Sequence, residues 1–138
     1  MKRNMKISLF TLVFIISSVM LSCKKNNDPH IPPNVVFKTG IGYLSQNDTV
    51  TVQDTLLVGI TATKTEDDLK SYNISVAYDG AATTFTFFNY LVQTTEYTGF
   101  SKDVQIITRN QPGTEKWIFS VVDRDGNITQ KKFTLIVQ

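Results

Sequence analysis

The sequence predicts an all-β protein, an antiparallel sandwich of about seven or eight strands. Beyond residue 33, apolar and polar residues alternate with a period close to two almost everywhere. Short turn sequences separate the alternating stretches at regular intervals. The alternating stretches are rich in β-branched and aromatic residues, which argues against helices. Residues 34–138 amount to about a hundred residues, which suits one domain with a modest core.

The first strands are predicted at residues 35–37 and 49–52, which are short and rich in valine and threonine. A longer strand follows at residues 56–63. Side chains on a strand point alternately to opposite faces, so one face of this strand is apolar. Its members are Leu56, Val58, Ile60 and Ala62.

A second long strand is predicted at residues 71–78, and the turn sequence Asp79-Gly80 ends it. Every second residue of this strand is a large apolar or aromatic one. The inner face therefore consists of Tyr72, Ile74, Val76 and Tyr78.

The next strand is predicted at residues 83–88, where Phe85 and Phe87 share one parity. We expect both rings to face the core. An irregular connection over residues 89–100 is expected to follow, because the alternation is lost there.

The last strands are predicted at residues 102–108, 117–122 and 132–137, with turns at residues 110–113 and 125–127. The final two strands alternate most regularly. Their inward side chains are predicted to be Trp117, Phe119, Val121, Phe133, Leu135 and Val137.

The first 22 residues have the layout of a signal peptide. Basic residues precede an apolar run over residues 7–21, which is shorter than the roughly 20 residues of a membrane-spanning helix. The run closes on Cys23, the only cysteine, and Met-Leu-Ser-Cys at residues 20–23 resembles a bacterial lipobox. The resemblance implies cleavage before Cys23, a diacylglyceryl group on its thiol and acylation, for example by palmitate, of the new amine.

Three segments follow from this interpretation: a cleaved lipoprotein signal peptide (residues 1–22), a lipidated tether (23–33) and the β-sandwich domain (34–138). The tether is polar, and Pro32 and Pro33 favour extended polyproline geometry.

Cleavage would also change the charge balance. The full chain has 14 basic and 12 acidic residues, and three of the basic ones, Lys2, Arg3 and Lys6, precede the cut. The mature chain would therefore carry 11 basic and 12 acidic side chains, a net charge of −1. With no clustered basic face, we expect no nucleic-acid partner.

Two stretches, residues 40–63 and 117–137, carry a resemblance to a known class. A Gly-aromatic segment leads into Thr-Val-x-x-x-Asp-Thr-Leu at residues 49–56, and a late strand ends in Val-x-Asp-x-Asp-Gly at residues 121–126. Both resemble immunoglobulin-like (Ig-like) or PKD-like modules of small Bacteroidota lipoproteins. The resemblance implies an Ig-like sandwich anchored at the outer membrane.

The sequence contains little catalytic equipment. His30, the only histidine, lies in the tether, and lipidation would consume the only thiol, that of Cys23. We therefore expect a non-catalytic binding module with a protein or glycan partner. The alternative is a structural spacer or assembly subunit without a small-molecule ligand.

Acidic residues concentrate in two loops that an Ig-like sandwich brings to the same end. We expect no cofactor, and this end is only a candidate site for calcium, which prefers carboxylate, amide and carbonyl oxygens. The alternative is a solvated loop beside a hairpin turn, with no ion. The candidate calcium ligands are Glu66, Asp67, Asp68, Asp123, Asp125 and Asn127.

Aromatic residues concentrate near the irregular connection. Phe88, Tyr90 and Tyr97 are the candidates for ligand contact, because exposed rings can stack on sugars or anchor a protein partner. The alternative is that the connection folds back and buries these rings over the sheet edge.

Two threonines are candidates for modification. Asp48-Thr49-Val50 and Asp54-Thr55-Leu56 resemble the Asp-Thr-aliphatic acceptor of O-glycosylation in Bacteroidota envelope proteins. The alternative is that these Asp and Thr residues form turns at the start of strands and carry no sugar.

Overall fold

The computed structural model describes residues 28–138, so Cys23, the signal peptide and the first part of the tether lie outside the described residues. These residues form eight strands and one 3-10 turn at Thr94–Glu96. The strands are β1 (Asn34–Phe37), β2 (Asp48–Val50), β3 (Thr55–Thr63), β4 (Leu69–Tyr78), β5 (Phe85–Leu91), β6 (Gly99–Ile107), β7 (Gly113–Asp123) and β8 (Ile128–Val137).

The strands form two sheets. The smaller sheet has the order β1-β3-β6 and the larger has the order β2-β8-β7-β4-β5. All pairings are antiparallel except that of β2, which runs parallel to β8. The sheet of β8, β7, β4 and β5 corresponds to the G, F, C and C′ strands of an Ig domain. The predicted all-β, Ig-like sandwich is therefore confirmed.

The core lies between the two sheets and contains the predicted inner faces. Burying one such side chain contributes about 1.5–3 kcal/mol to stability. Leu56 and Tyr78, at strand ends, are only partly buried. The other predicted members are buried: Val58, Ile60, Ala62, Tyr72, Ile74, Val76, Trp117, Phe119, Val121, Phe133, Leu135 and Val137.

The prediction for the fifth strand is wrong in two respects. Strand β5 continues to Leu91, so the irregular connection is shorter than residues 89–100. In addition, Phe85 and Phe87 are 59% and 45% exposed instead of buried in the core.

Both errors have a physical cause in the pairing of β5 with β4. The pairing continues to Ser71 and Leu91, which extends the strand beyond residue 88. A register shift leaves Phe87 without a cross-strand partner, so the parity of the side chains changes along the strand. Phe85 pairs with the buried Val76 and shares its face. However, β5 is the edge of the five-stranded sheet, and Phe85, at its start, stays exposed beside the ring of Tyr78.

The sandwich has two ends that matter for function. We define the acidic pole as the β3–β4 loop (residues 64–68) together with the β7–β8 turn (residues 124–127). The Arg124 N–H donates a 2.9 Å hydrogen bond to the Asp68 carbonyl oxygen and joins these loops. The distal pole comprises the β4–β5 turn (residues 79–84) and the β6–β7 loop (residues 108–112).

Strand β4 connects the two poles. Its ten residues span about 30 Å at the usual rise of a strand. No helix among residues 28–138 has the length and apolar character needed to cross a membrane.

Candidate functional site

The tether enters the domain at the acidic pole. The Thr65 hydroxyl donates a 3.0 Å hydrogen bond to the Pro32 carbonyl oxygen, and the Ile31 N–H lies 3.4 Å from a carboxylate oxygen of Glu66. The Thr129 hydroxyl donates to the Pro33 carbonyl oxygen. The acidic pole is therefore the end of the domain that faces the preceding chain.

Three of the predicted calcium ligands come together at this pole, around a fourth residue that was not predicted from the sequence. Carboxylate oxygens of Glu66, Asp67 and Asp28 lie within 4.8 Å of one another, and Asp125 forms a second group with Asp28 and His30. Asp28 belongs to the tether, which explains why the loop pattern did not identify it.

The two carboxyls of Asp28 and Asp125 perturb each other. The hydrogen bond with Asp28 raises the pKa of Asp125. The backbone N–H of His30, which donates to Asp28 at 3.0 Å, lowers the pKa of Asp28. Close carboxyls repel each other when both are ionised, so a cation or a shared proton would relieve this repulsion.

The remaining predicted ligands have partners within the protein. The buried Asp123 carboxylate accepts hydrogen bonds from the Asn127 N–H at 2.8 Å and from the Asn127 side-chain amide at 3.0 Å. Asp68 forms a 2.9 Å ion pair with Lys64. These contacts close the turn and the loop, so the calcium prediction now depends on the carboxylates around Asp28.

Calcium binding at the acidic pole can be tested through stability, because a ligand of the native state raises it. If the prediction is right, millimolar calcium raises the melting temperature and a chelator reverses the change. The Asp67→Asn variant should respond less than wild type, whereas Asp48→Asn, on β2, should respond fully. An unchanged melting temperature for wild type would contradict the prediction.

The predicted aromatic contact residues are held by neighbours. The Tyr90 hydroxyl donates to the Glu96 carboxylate, and Lys102 Nζ lies 4.3 Å from the centroid of the Tyr90 ring. Phe88 stacks on Tyr90 at a centroid distance of 6.4 Å. The Arg124 guanidinium carbon lies 4.1 Å from the centroid of the Tyr97 ring. All three rings are partly buried, and their contact with a ligand stays a prediction.

The two candidate glycosylation sites are accessible. Thr49 and Thr55 are both exposed, on β2 and β3. The Thr49 N–H donates a 2.8 Å hydrogen bond to the Asp48 carboxylate, which is the local contact expected of a strand-entry turn. Modification of either threonine stays a prediction.

The distal pole contains a cleft that was not predicted from the sequence. It has a volume of about 480 Å³. The sequence predicts a strand end at Tyr78 and turns at Asp79 and at residues 110–113, and it assigns no role to Arg109. The lining residues are Tyr78, Asp79, Arg109, Asn110 and Gln111.

Arg109 organises this cleft by a bidentate ion pair. Its Nη1 and Nη2 each donate a 2.6 Å hydrogen bond to the Asp79 carboxylate, and Nη2 also donates to the Pro112 carbonyl oxygen at 2.9 Å. Asp79 further accepts the Thr114 N–H at 2.9 Å. The Arg109 hydrogen bonds, foremost among these contacts, lower the pKa of Asp79 to about 2. We call this arrangement the Arg109–Asp79 clamp.

Glu115 attaches the cleft to the core. Its carboxyl group is fully buried. One oxygen accepts the Arg109 backbone N–H at 2.7 Å, and the other accepts the Trp117 indole N–H at 2.9 Å. A buried carboxyl group needs such partners, and here they fix the start of the β6–β7 loop.

The polar side chains that line the cleft outside the Arg109–Asp79 clamp belong to Tyr78, Asn110 and Gln111. Within residues 28–138, no side-chain hydrogen bond involves the amides of Asn110 and Gln111 or the hydroxyl of Tyr78. Both amide residues are exposed. The ring of Phe85 lies beside the cleft, 6.0 Å from that of Tyr78 between centroids.

Comparison with known proteins gives likenesses of fold only. No family model and no characterised protein sequence matches the chain. Fibronectin(III)-like modules of CbhA from Clostridium thermocellum are 13% identical with a TM-score of 0.46, and cover 78% of this chain and 47% of their own. The CARDB domain of a Pyrococcus furiosus protein is 13% identical with a TM-score of 0.45, over 77% of this chain and 96% of its own. A Niemann-Pick type C2 protein from the Japanese carpenter ant is 8% identical with a TM-score of 0.46, over 76% of this chain and 89% of its own.

Proposed function

We propose that the chain is an outer-membrane lipoprotein of the Bacteroidota type that presents one Ig-like domain as a non-catalytic binding module for a protein or a glycan. One observation carries the proposal: the tether enters at the acidic pole, and the open cleft lies at the other end of the sandwich. A lipid on Cys23 would then leave the distal pole facing away from the membrane.

The length of the tether supports this orientation. Five residue steps separate Cys23 from Asp28, and an extended chain of that length spans at most about 18 Å. The acidic pole would therefore stay close to the membrane. The distal pole would lie a further ~30 Å away at the usual strand rise, where a partner can reach it.

The chemistry of the cleft supports binding and not catalysis. The Asp79 carboxyl, like an ordinary aspartate, carries no proton to donate at neutral pH, and Arg109 lowers its pKa further, to about 2. Its oxygens already accept hydrogen bonds from Arg109 and Thr114, which makes it a weak base. His30 lies in the tether at the opposite pole.

Lipid anchoring is tested in bacterial cells. We expect the wild-type chain to incorporate labelled palmitate and to fractionate with the outer membrane. Cys23→Ser should lose the label and accumulate uncleaved. Labelled palmitate on the Cys23→Ser variant, or none on wild type, would contradict the anchor.

Binding is tested with the soluble domain that begins at Asn26. We expect it to capture a protein from envelope extracts or to bind a glycan array. Binding through the distal pole should survive Asp67→Asn, because this substitution changes a side chain at the acidic pole only. Failure to bind in both assays would contradict the proposed function.

A second function, assembly through a sheet edge, is favoured by the character of β5. Natural proteins usually protect an edge strand with charged residues. Strand β5, Phe-Thr-Phe-Phe-Asn-Tyr-Leu, has no charged residue, and Phe85, Phe87 and Leu91 are 59%, 45% and 67% exposed. The edge strand β6, in contrast, contains Lys102 and Asp103.

This second function predicts that Leu91→Lys abolishes self-association, because Leu91 is 67% exposed on β5 and a charge on the edge opposes strand pairing. Sedimentation velocity of the soluble domain measures the association. Ile136→Lys is the matched control: Ile136 is 52% exposed, but its strand β8 is paired on both sides. A monomeric wild type, or equal effects of the two variants, would contradict assembly through β5.

A further inference from the structure

The geometry points to the distal cleft as a binding site for a neutral carbohydrate. This inference rests on the proposed binding function and names the class of its ligand. The volume of about 480 Å³ lies within the range of about 300–1,000 Å³ that ligand pockets occupy. The ligand class follows from the charge, the polar groups and the aromatic rings of the cleft.

The charges in the cleft cancel. The Arg109 guanidinium is bound to Asp79 through two hydrogen bonds of 2.6 Å, and its side chain is only 11% exposed. An anionic ligand would have to displace Asp79 from this pair, and a cationic ligand would have to displace Arg109. The cleft therefore favours a ligand without net charge.

The remaining polar groups suit a ligand with many hydroxyls. The side-chain amides of Asn110 and Gln111 each contain a donor and an acceptor on one planar group, and the Tyr78 hydroxyl can do both. Neighbouring hydroxyls of a sugar likewise donate and accept. The Asp79 side chain is 56% exposed, so it can accept further hydrogen bonds despite the clamp.

The aromatic rings supply an apolar surface beside these groups. Tyr78 and Phe85 lie 6.0 Å apart between centroids, at an angle of 41°. The Arg109 guanidinium lies over Tyr78, with its carbon 5.6 Å from the ring centroid, so Phe85, which is 59% exposed, offers most of the open ring surface. The C–H face of a sugar ring can pack on such rings while its edge binds the amides. A wholly apolar ligand would leave the amides and the hydroxyl unpaired, which costs affinity.

The clamp also holds the cleft in shape before a ligand binds. Asp79 is fixed by Arg109 and by the Thr114 N–H, and the Arg109 backbone is fixed by the buried Glu115. Groups that are already ordered lose little conformational freedom on binding. Only the Asn110 and Gln111 side chains would have to be ordered by the sugar.

The test uses the full chain, purified in detergent, and an array of immobilised neutral oligosaccharides. We expect wild type to bind at least one of these glycans. The double variant Asn110→Ala/Gln111→Ala should bind it at least about tenfold more weakly, because two hydrogen bonds are lost. Gln105→Ala is the matched control, since Gln105 is an exposed amide on β6 outside the cleft.

Equal melting temperatures of the three proteins will show that the fold is retained, because all the replaced side chains are exposed. A wild type that binds no neutral glycan would overturn the sugar site, and so would a double variant that binds as well as wild type. If the chain captures an envelope protein but no glycan, the sugar site fails and the binding function stands. If it binds neither, both fail.

Discussion

Glu115→Leu is expected to lower the free energy of unfolding by about 2–3 kcal/mol, although leucine is close to glutamate in size. The change removes the acceptors of two N–H groups, those of Trp117 and of the Arg109 backbone. Each buried donor left without a partner costs about 1–3 kcal/mol. Relief from burying a carboxyl group offsets part of this cost, so the net loss stays below the sum.

Urea unfolding measures this loss, and Trp117, the only tryptophan, reports it by fluorescence. Because the probe contacts the mutated residue, circular dichroism should be recorded as a second signal. Glu115→Gln keeps one acceptor oxygen and should lose about half as much stability. A leucine variant as stable as wild type would contradict the role assigned to Glu115.

The inner faces of the long strands were predictable because their signal is local. Alternation from Trp117 to Val121 shows directly which side chains share a face. The same alternation continues back to Glu115, which is in phase with Trp117. An acidic residue on an otherwise apolar face was therefore a readable sign of a buried carboxyl group.

The orientation of Phe85 and Phe87 was not predictable in this way. It depends on a register shift between β4 and β5 and on the position of β5 at the edge of the five-stranded sheet. Both are properties of strand pairing, and neither leaves a pattern within β5 itself. Parity is a dependable guide only where a strand is paired regularly and covered by the opposite sheet.

The two poles of the domain also differ in how much of each could be predicted from the sequence. An Ig-like topology brings the β3–β4 loop and the β7–β8 turn together, so part of the acidic pole could be expected. The contribution of Asp28 depends on how the tether crosses the pole. The distal cleft was missed because its central contact joins Asp79 to Arg109, thirty positions apart in the chain.

Gly113→Ala is expected to lower the free energy of unfolding by about 2–4 kcal/mol and to destroy the distal cleft. Gly113 has φ +147°, which L side chains rarely adopt. A Cβ atom there would lie 1.2 Å from Nη2 of Arg109 and 2.4 Å from the Asp79 carboxylate. The guanidinium would have to leave, and both hydrogen bonds to Asp79 would break with it.

Gly80→Ala separates the two causes of this loss, because Gly80 also has a positive φ, +75°, but a Cβ atom at this position would have no other atom within 4 Å. It should cost only about 1–2 kcal/mol, which is the cost of the backbone conformation alone. Denaturant unfolding of both variants measures the difference, which contains the contribution of the clamp and the larger backbone cost of an L residue at φ +147°. Because that contribution includes the Asp79 ionisation, whose folded pKa lies below the ordinary value, the difference should shrink as the pH falls from 4 towards 2. Equal losses in the two variants at neutral pH would mean that the Arg109 side chain does not cross Gly113.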